Sequence, residues 1–394
     1  MNKKEVGEIR KQFKEDKSTI SRICCCYVNH EKNKIMESSG MFLTMPEEEL
    51  FKYFEIFRKT LSGTIGKNML NMEFPLTQEA PGGTQYELLA LLDSRLEDDQ
   101  MVSDFFDKII ANYSYPENYL ILLIYAAYDV PGKSGDNLDM FDASDSVYSH
   151  MLCSICPVNL TPAGLCYNGE HNQLETRIRD WVVEMPMNGF LFPAFNDRAT
   201  DLHNVLYYTA KPDGDYGLQE GFLENVLGAR IPLSAGNQKE VFQELVEEAL
   251  GETCDYDTMV MINENLNEMI ETSKESPEPL ELSAPSVKQL LAVSGVPDEN
   301  LEDFEDTYEH IAGAQSVLTA SNVAETKKLS VETSGITIKA NLESVDLMEM
   351  RLLDGRPCLV IPVDDRVTVN GISVKSMKGI RVLPEEDTDI TEEN

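Results

Sequence analysis

The sequence predicts an α+β protein: an N-terminal mixed α/β domain with a largely antiparallel sheet, a helical middle segment and a small C-terminal β-meander. Three observations carry this. Before residue 213, short apolar runs that read as strands are interspersed with runs at helical spacing. Between residues 234 and 311 the apolar residues keep helical spacing almost throughout. From Lys328 the period changes to two, and Asp354-Gly355 and Asn370-Gly371 supply hairpin turns.

The elements follow in order. Residues 3–14 form a short helix with Val6, Ile9 and Phe13 on one stripe. Residues 19–28 and 35–44 are strands joined by the polar turn at 29–34. The first strand contains Cys24, Cys25 and Cys26. Alternation along a strand sends Cys25 to one face and its neighbours to the other, so the three cannot converge on one tetrahedral ion. Small apolar Cys instead suits a sheet covered on both sides. Thr44 with Glu47 predicts a capping box for a helix to about residue 61. A strand at 68–75 and helices at 84–96 and 100–112 come next. The most apolar stretch, residues 119–128, is a central strand; at ten residues it is too short to span a bilayer.

An acidic loop is expected at 129–145, followed by a strand at 147–158. Trp181-Val-Val and Gly189-Phe-Leu-Phe-Pro-Ala-Phe195 continue the core, and residues 204–209 add a further strand. The domain limits are 1–213 for the N-terminal domain, 214–327 for the helical segment and 328–384 for the β-unit. Residues 385–394 hold six acids and no base, and read as a disordered acidic tail.

Charge restricts the partners. The chain of 394 residues has 33 Lys+Arg against 69 Asp+Glu, a net charge of −36, which repels nucleic acid and anionic membrane. Only the first 67 residues run the other way, with 13 bases and 10 acids. DNA is therefore possible only through a local basic N-terminal surface. No secretory leader is apparent, and the cysteine pattern is not a disulfide scaffold. A cytoplasmic location with reduced thiols is expected, and no membrane contact.

Chemistry-bearing motifs are sparse. Ala127 to Ser134 matches a loose phosphate-loop pattern, but the continuation is a poor helix start rich in aspartate. Asp136, Asp139, Asp142 and Asp145 lack the alternate spacing and terminal Glu of a calcium loop. Cys153, Cys156, Cys166 and His171 form a zinc inventory, although the Cys-x2-Cys pair lies on a strand, which favours core cysteines. Asp197 and Arg198, with Asp129, form the best polar cluster and are candidates for binding a small anion. The 286–295 and 298–311 helix pair has the length of a helix-turn-helix, yet seven acids on its second helix exclude a DNA groove. No catalytic residues and no cofactor are assigned.

Met1-Asn-Lys-Lys-Glu-Val-x-Glu-Ile-Arg-Lys-x-Phe13, Cys153-Ser-Ile-Cys-Pro-Val158, Gly189 to Phe195 and Val367-x-Val-Asn-Gly371 resemble an uncharacterised bacterial family known only as a domain of unknown function. That resemblance covers nearly the whole chain and implies no activity. More remotely, Phe222-Leu-x2-Val-Leu-Gly228-Ala229, Leu233, Ala235, Gln238 and Gly335-Ile-x-Ile338 resemble the 37-kilodalton nucleoid-associated proteins. This second resemblance implies a non-enzymatic, chromosome-associated role. The expectation is an acidic, non-enzymatic binding protein with a protein partner or self-association. The alternative is an enzyme or small-anion binder acting through Asp197 and Arg198.

Overall fold

The computed structural model describes residues 1–133, 139–230, 232–251, 254–313, 316–325, 328–341, 344, 347–362, 367–369 and 372–373, without the side chains of 133 and 139–145. The chain divides into two compact units, Met1–Ala324 and Glu325–Asn394.

In the first unit, helix α1 (Lys3–Arg10) precedes the hairpin β1 (Ile20–Val28) and β2 (Lys34–Met41). Next come α2 (Glu47–Thr60), β3 (Met69–Glu73), α3 (Leu76–Glu79), α4 (Thr84–Asp93) and α5 (Asp99–Asn112). Long strands β4 (Asn118–Lys133) and β5 (Asp139–Leu160) lead to the short β6 (Leu165–Asn168), β7 (Gln173–Thr176) and β8 (Trp181–Val183). The strands β9 (Asn188–Phe192), β10 (Ala194–Asn196), β11 (Ala199–Asp201) and β12 (Asn204–Thr209) follow. The main sheet has the order β2-β1-β4-β5-β9-β12-β3, with β8 on the end of β5, and every pairing in it is antiparallel. The predicted α+β class is therefore the observed one.

Strand alternation decides the layers. Cys24, Cys26, Ile121, Leu123, Cys153 and Phe190 face the cluster under α4 and α5; Cys25, Leu122, Ile124, Leu152 and Cys156 face the cluster under α1 and α2. Burial raises the thiol of Cys24 to about 11, that of Cys25 to about 12 and that of Cys26 to about 11. These are neutral packing groups at physiological pH. The buried Asn188 side chain on β9 is fully engaged: Tyr113 donates to it at 2.7 Å, and it donates to Tyr207 and to the Gly217 carbonyl at 2.8 Å each.

Helix α5 starts where Asp98 accepts from the amides of Gln100 and Met101, both at 3.1 Å. Asp98→Ala is expected to lower stability by about 1 kcal/mol, the usual worth of an N-cap, measured by denaturant unfolding. No change in the midpoint would show that the α5–sheet packing alone sets this helix start.

A third apolar cluster holds the helical segment together. The short α6 (Glu220–Phe222) runs into a π-turn at Leu223–Leu227, closed by Gly228 at φ 64°. Then α7 (Ala235–Leu250), α8 (Tyr256–Ser273), α9 (Ala284–Val293), α10 (Phe304–Ala312) and α11 (Ala320–Val323) pack around Leu245, Leu266, Leu290, Phe304 and Tyr308. A two-residue pair, β13 (Glu281–Leu282) and β14 (Leu318–Thr319), brackets α9 and α10. Among its described residues the second unit holds three antiparallel pairs: β15 (Lys328–Glu332) with β16 (Thr337–Asn341), β17 (Glu349–Leu353) with β18 (Arg356–Val360), and β19 (Thr368–Val369) with β20 (Ile372–Ser373).

Three expectations are corrected. Thr44 does not cap α2: it closes a 3-10 turn and bonds the Met41 carbonyl at 2.7 Å, because Pro46 takes the N-cap place. The capping box belongs to α1, where the Asn2 side chain accepts from Glu5 and Glu5 accepts from the Asn2 amide. The 129–145 loop is largely strand, since β4 and β5 stay paired from Asp129↔Val147 to Lys133↔Asp139 through a bulge at Pro131. The 298–311 helix breaks into a 3-10 turn, Asp298–Leu301, and α10.

Candidate functional site

The expected polar cluster sits on the β10–β11 hairpin. Asn196 faces Ala199, so Asp197 and Arg198 are the two turn residues, at φ 51° and 57°. Two consecutive left-handed residues define the type I′ turn that matches strand twist, here without glycine. Left-handed backbone costs a residue with a Cβ roughly 1 kcal/mol, so neighbouring bonds must hold the turn. Asn196 donates to Asp201 at 2.6 Å, and Arg198 forks onto Glu8 of α1 at 3.0 Å twice. Arg198 also donates to the Pro131 carbonyl at 3.0 Å, and Tyr128 donates to Glu8 at 3.0 Å. The guanidinium thus joins α1, the β4 end and the turn.

Asp197 instead lines a cleft of about 710 Å³ with Glu5, Asp201, Glu278, Glu281 and Gln238. No Lys or Arg is among the described residues lining it. Asp129 is exposed on β4 opposite Val147. The structure therefore places Asp197 in an acid-lined cleft and Arg198 in an ion pair with α1.

The zinc inventory is dispersed. Cys153 and Cys156 are buried on opposite faces of β5, while Cys166 and His171 are exposed on β6 and the turn after it. His171 lies 2.9 Å from Glu175. Among the described residues, no three His, Cys, Asp or Glu side chains are grouped to hold a metal. Asp136 lies outside the described residues, as do the side chains of Asp139, Asp142 and Asp145.

A second surface was not anticipated. The expectation that Trp181-Val-Val is core is corrected: the three are 53, 44 and 39% exposed. The reason is register. Strand β4 begins at Asn118, opposite Val158, so β5 runs past it. There Val158, Asn159 and Leu160 pair with Val183, Val182 and Trp181. The same register resumes at Leu165↔Thr176 and ends at Asn168↔Gln173. Backbone bonds from Thr161 to Asp180 at 2.9 Å and from Arg177 to Gly164 at 2.8 Å bridge the interval around Pro162. Residues 158–168 and 173–183 thus form one two-stranded arm extending β5 roughly 25 Å past the sheet.

Alternation gives the arm two unlike faces. Cys166, Asn168, Gln173 and Glu175 share one side, knit by bonds of Asn168 and Gln173 to Glu175 at 2.9 and 2.7 Å. The opposite side carries Leu165, Tyr167, Leu174 and Ile178, exposed by 75, 64, 69 and 82%. The signal in the sequence was the alternation Leu165-x-Tyr167 and Leu174-x-Thr176-x-Ile178 around Asn168-Gly169.

One buried titratable group stands apart. His150 is 1% exposed, stacks on Tyr148 at 4.6 Å and leaves Nε2 without a partner among the described residues. Burial lowers its imidazole to about 4, partly offset by the Tyr148 carbonyl.

An α+β protein with a central antiparallel sheet and a projecting β-arm is the class these features define. The chain belongs to the family described as Domain of unknown function (DUF4317), which matches residues 1–372. No curated protein matches it. Among the described residues, no helix is long and apolar enough to cross a membrane.

Proposed function

We propose that this chain is a non-enzymatic, cytoplasmic binding protein whose contact element is the β-arm, which docks a protein along its apolar face. The carrying observation is that face itself, with four large side chains more than 60% exposed on a ribbon that no third strand covers among the described residues. An isolated two-stranded ribbon is marginal in water, and a contiguous exposed apolar patch marks an interaction surface. Tyr, present on this face as Tyr167, is among the side chains that most often anchor interfaces.

The chromosome-associated reading draws on the N-terminal bases. Arg22 pairs with Asp99 at 3.1 Å, and Lys34 with Glu37 and Asp107 at 3.3 and 3.0 Å. These pairs leave less free positive charge for phosphate, so the protein-docking reading is favoured. The enzyme or anion-binding alternative has Arg198 turned to Glu8 and an acidic cleft beside Asp197, a poor field for an anion.

The test is a photo-activatable side chain at Tyr167 or Ile178 of the full-length chain in its native cell, with exposed Glu55 of α2 as control. Protein adducts at the arm and few at residue 55 are expected. Equal labelling at all three, or none at the arm, removes the reading. DNA retention that falls steeply with salt would instead favour the chromosomal one.

A further inference from the structure

We infer that the apolar face of the arm binds the same face of a second copy of this chain, two arms stacking as a small β-sandwich about a two-fold axis. This rests on the arm being the docking element proposed above. Leu165, Tyr167, Leu174, Ile178 and Val182 alternate onto one side, and Asp180, near the base, is its charged member. At 75, 64, 69, 82 and 44% exposure they offer an apolar patch on the order of 600 Å² per copy, the upper end for a monomer's surface. A standard interface takes about 800 Å² per partner and the smallest specific ones about 600 Å², so two such faces suffice for a modest dimer.

The choice of occupant follows from chemistry. A nearly uncharged, flat, two-stranded face has nothing to select a basic or an acidic partner. Its natural complement is another sheet surface packed at about 10 Å. The second copy supplies that surface in self-complementary form, as a two-fold contact requires. A lipid surface fits poorly: the arm ends in Gly169-Glu170-His171-Asn172, so its tip is polar and the apolar residues lie along its side.

Charge explains why the contact lies on an arm. Each copy carries −36, and two such bodies repel. An extension of roughly 25 Å spans about three Debye lengths of about 8 Å at physiological salt, so arms can meet while the bodies stay screened. The contact is then apolar where the copies touch and repulsive where they do not. Added salt tightens it, opposite to any phosphate-binding surface.

Sedimentation equilibrium of the full-length chain tests this at low and high salt, with Ile178→Glu and Leu174→Glu as variants. A circular-dichroism melt checks that these exposed substitutions leave the fold intact. The expected result is a concentration-dependent dimer, tighter in high salt and weakened at least about tenfold by either variant. A wild-type chain that stays monomeric overturns the inference, as does a dimer that both variants leave unchanged. The two readings separate cleanly. A monomer whose arm still labels a different protein in the cell keeps the docking function and removes self-pairing. Absence of any arm adduct removes both.

Discussion

Gly189→Ala is expected to cost about 3 kcal/mol or more of folding free energy, because the sheet has no room for a methyl group there. Gly189 lies in β9, opposite Ser154 of β5 and Tyr208 of β12, with α2 on top. A Cβ at this position would sit 2.4 Å from the Cys153 carbonyl oxygen and 2.7 Å from Thr60 Cγ2. The first neighbour is strand backbone. The second belongs to a fully buried Thr60, whose hydroxyl lies 2.6 Å from the Ser154 hydroxyl and donates to the Ile56 carbonyl at 3.2 Å. Either the strands part or α2 lifts, and lifting strands two buried hydroxyls at about 1–3 kcal/mol for each lost partner. Thr60→Ser in the same chain removes that methyl and should recover part of the loss, which a double-mutant cycle measures. A cost below about 1 kcal/mol would mean that α2 is loosely seated.

The unfolding free energy should also fall with acid in a way that His150 controls. Burial holds the folded imidazole near 4, against 6.5 for the ordinary side chain. Between those values the unfolded chain binds a proton that the folded chain refuses. Stability from this group is therefore complete above pH 6.5, declines through the interval and is exhausted near pH 4. At about 1.4 kcal/mol per pH unit the full swing is on the order of 3 kcal/mol. The 69 carboxylates work in the other direction at first, since their partial protonation relieves self-repulsion. The diagnostic is accordingly the difference between the wild type and His150→Phe, which keeps an aromatic ring against Tyr148. That difference should widen in favour of the variant as pH drops from 7 to 4.5. Parallel curves would place the imidazole in contact with water.

The triple cysteine was legible because strand alternation depends only on neighbours in sequence, and Cys25 does face away from Cys24 and Cys26. The central strand at 119–128 was equally plain, since ten unbroken apolar residues suit a strand covered on both faces. Features that depend on distant partners were not readable. Thr44 and Glu47 make a capping pattern, and only Pro46 between them redirects the chain. The aspartates after residue 129 read as loop because composition does not reveal that β4 and β5 stay paired across them, through a bulge at Pro131. Trp181-Val-Val looks like core in any local reading. It is exposed because its neighbour, β5, runs beyond the strand that would otherwise flank it. For the polar cluster, the charged pair Asp197 and Arg198 was visible, while its turn position and the pull of Glu8, 190 residues away, were not.

The order of strands has a consequence for biosynthesis. Strand β3 leaves the ribosome early, yet its place is the sheet edge opposite β2, where its partner is β12 at Asn204–Thr209. The β1–β2 hairpin likewise waits for β4 before its cysteines are covered. Until about residue 209 has emerged, the nascent chain exposes greasy half-layers and an unmatched ladder. Long-range closures of this kind are slow and sticky. The first half of translation is thus the stage at which this topology is most prone to aggregate.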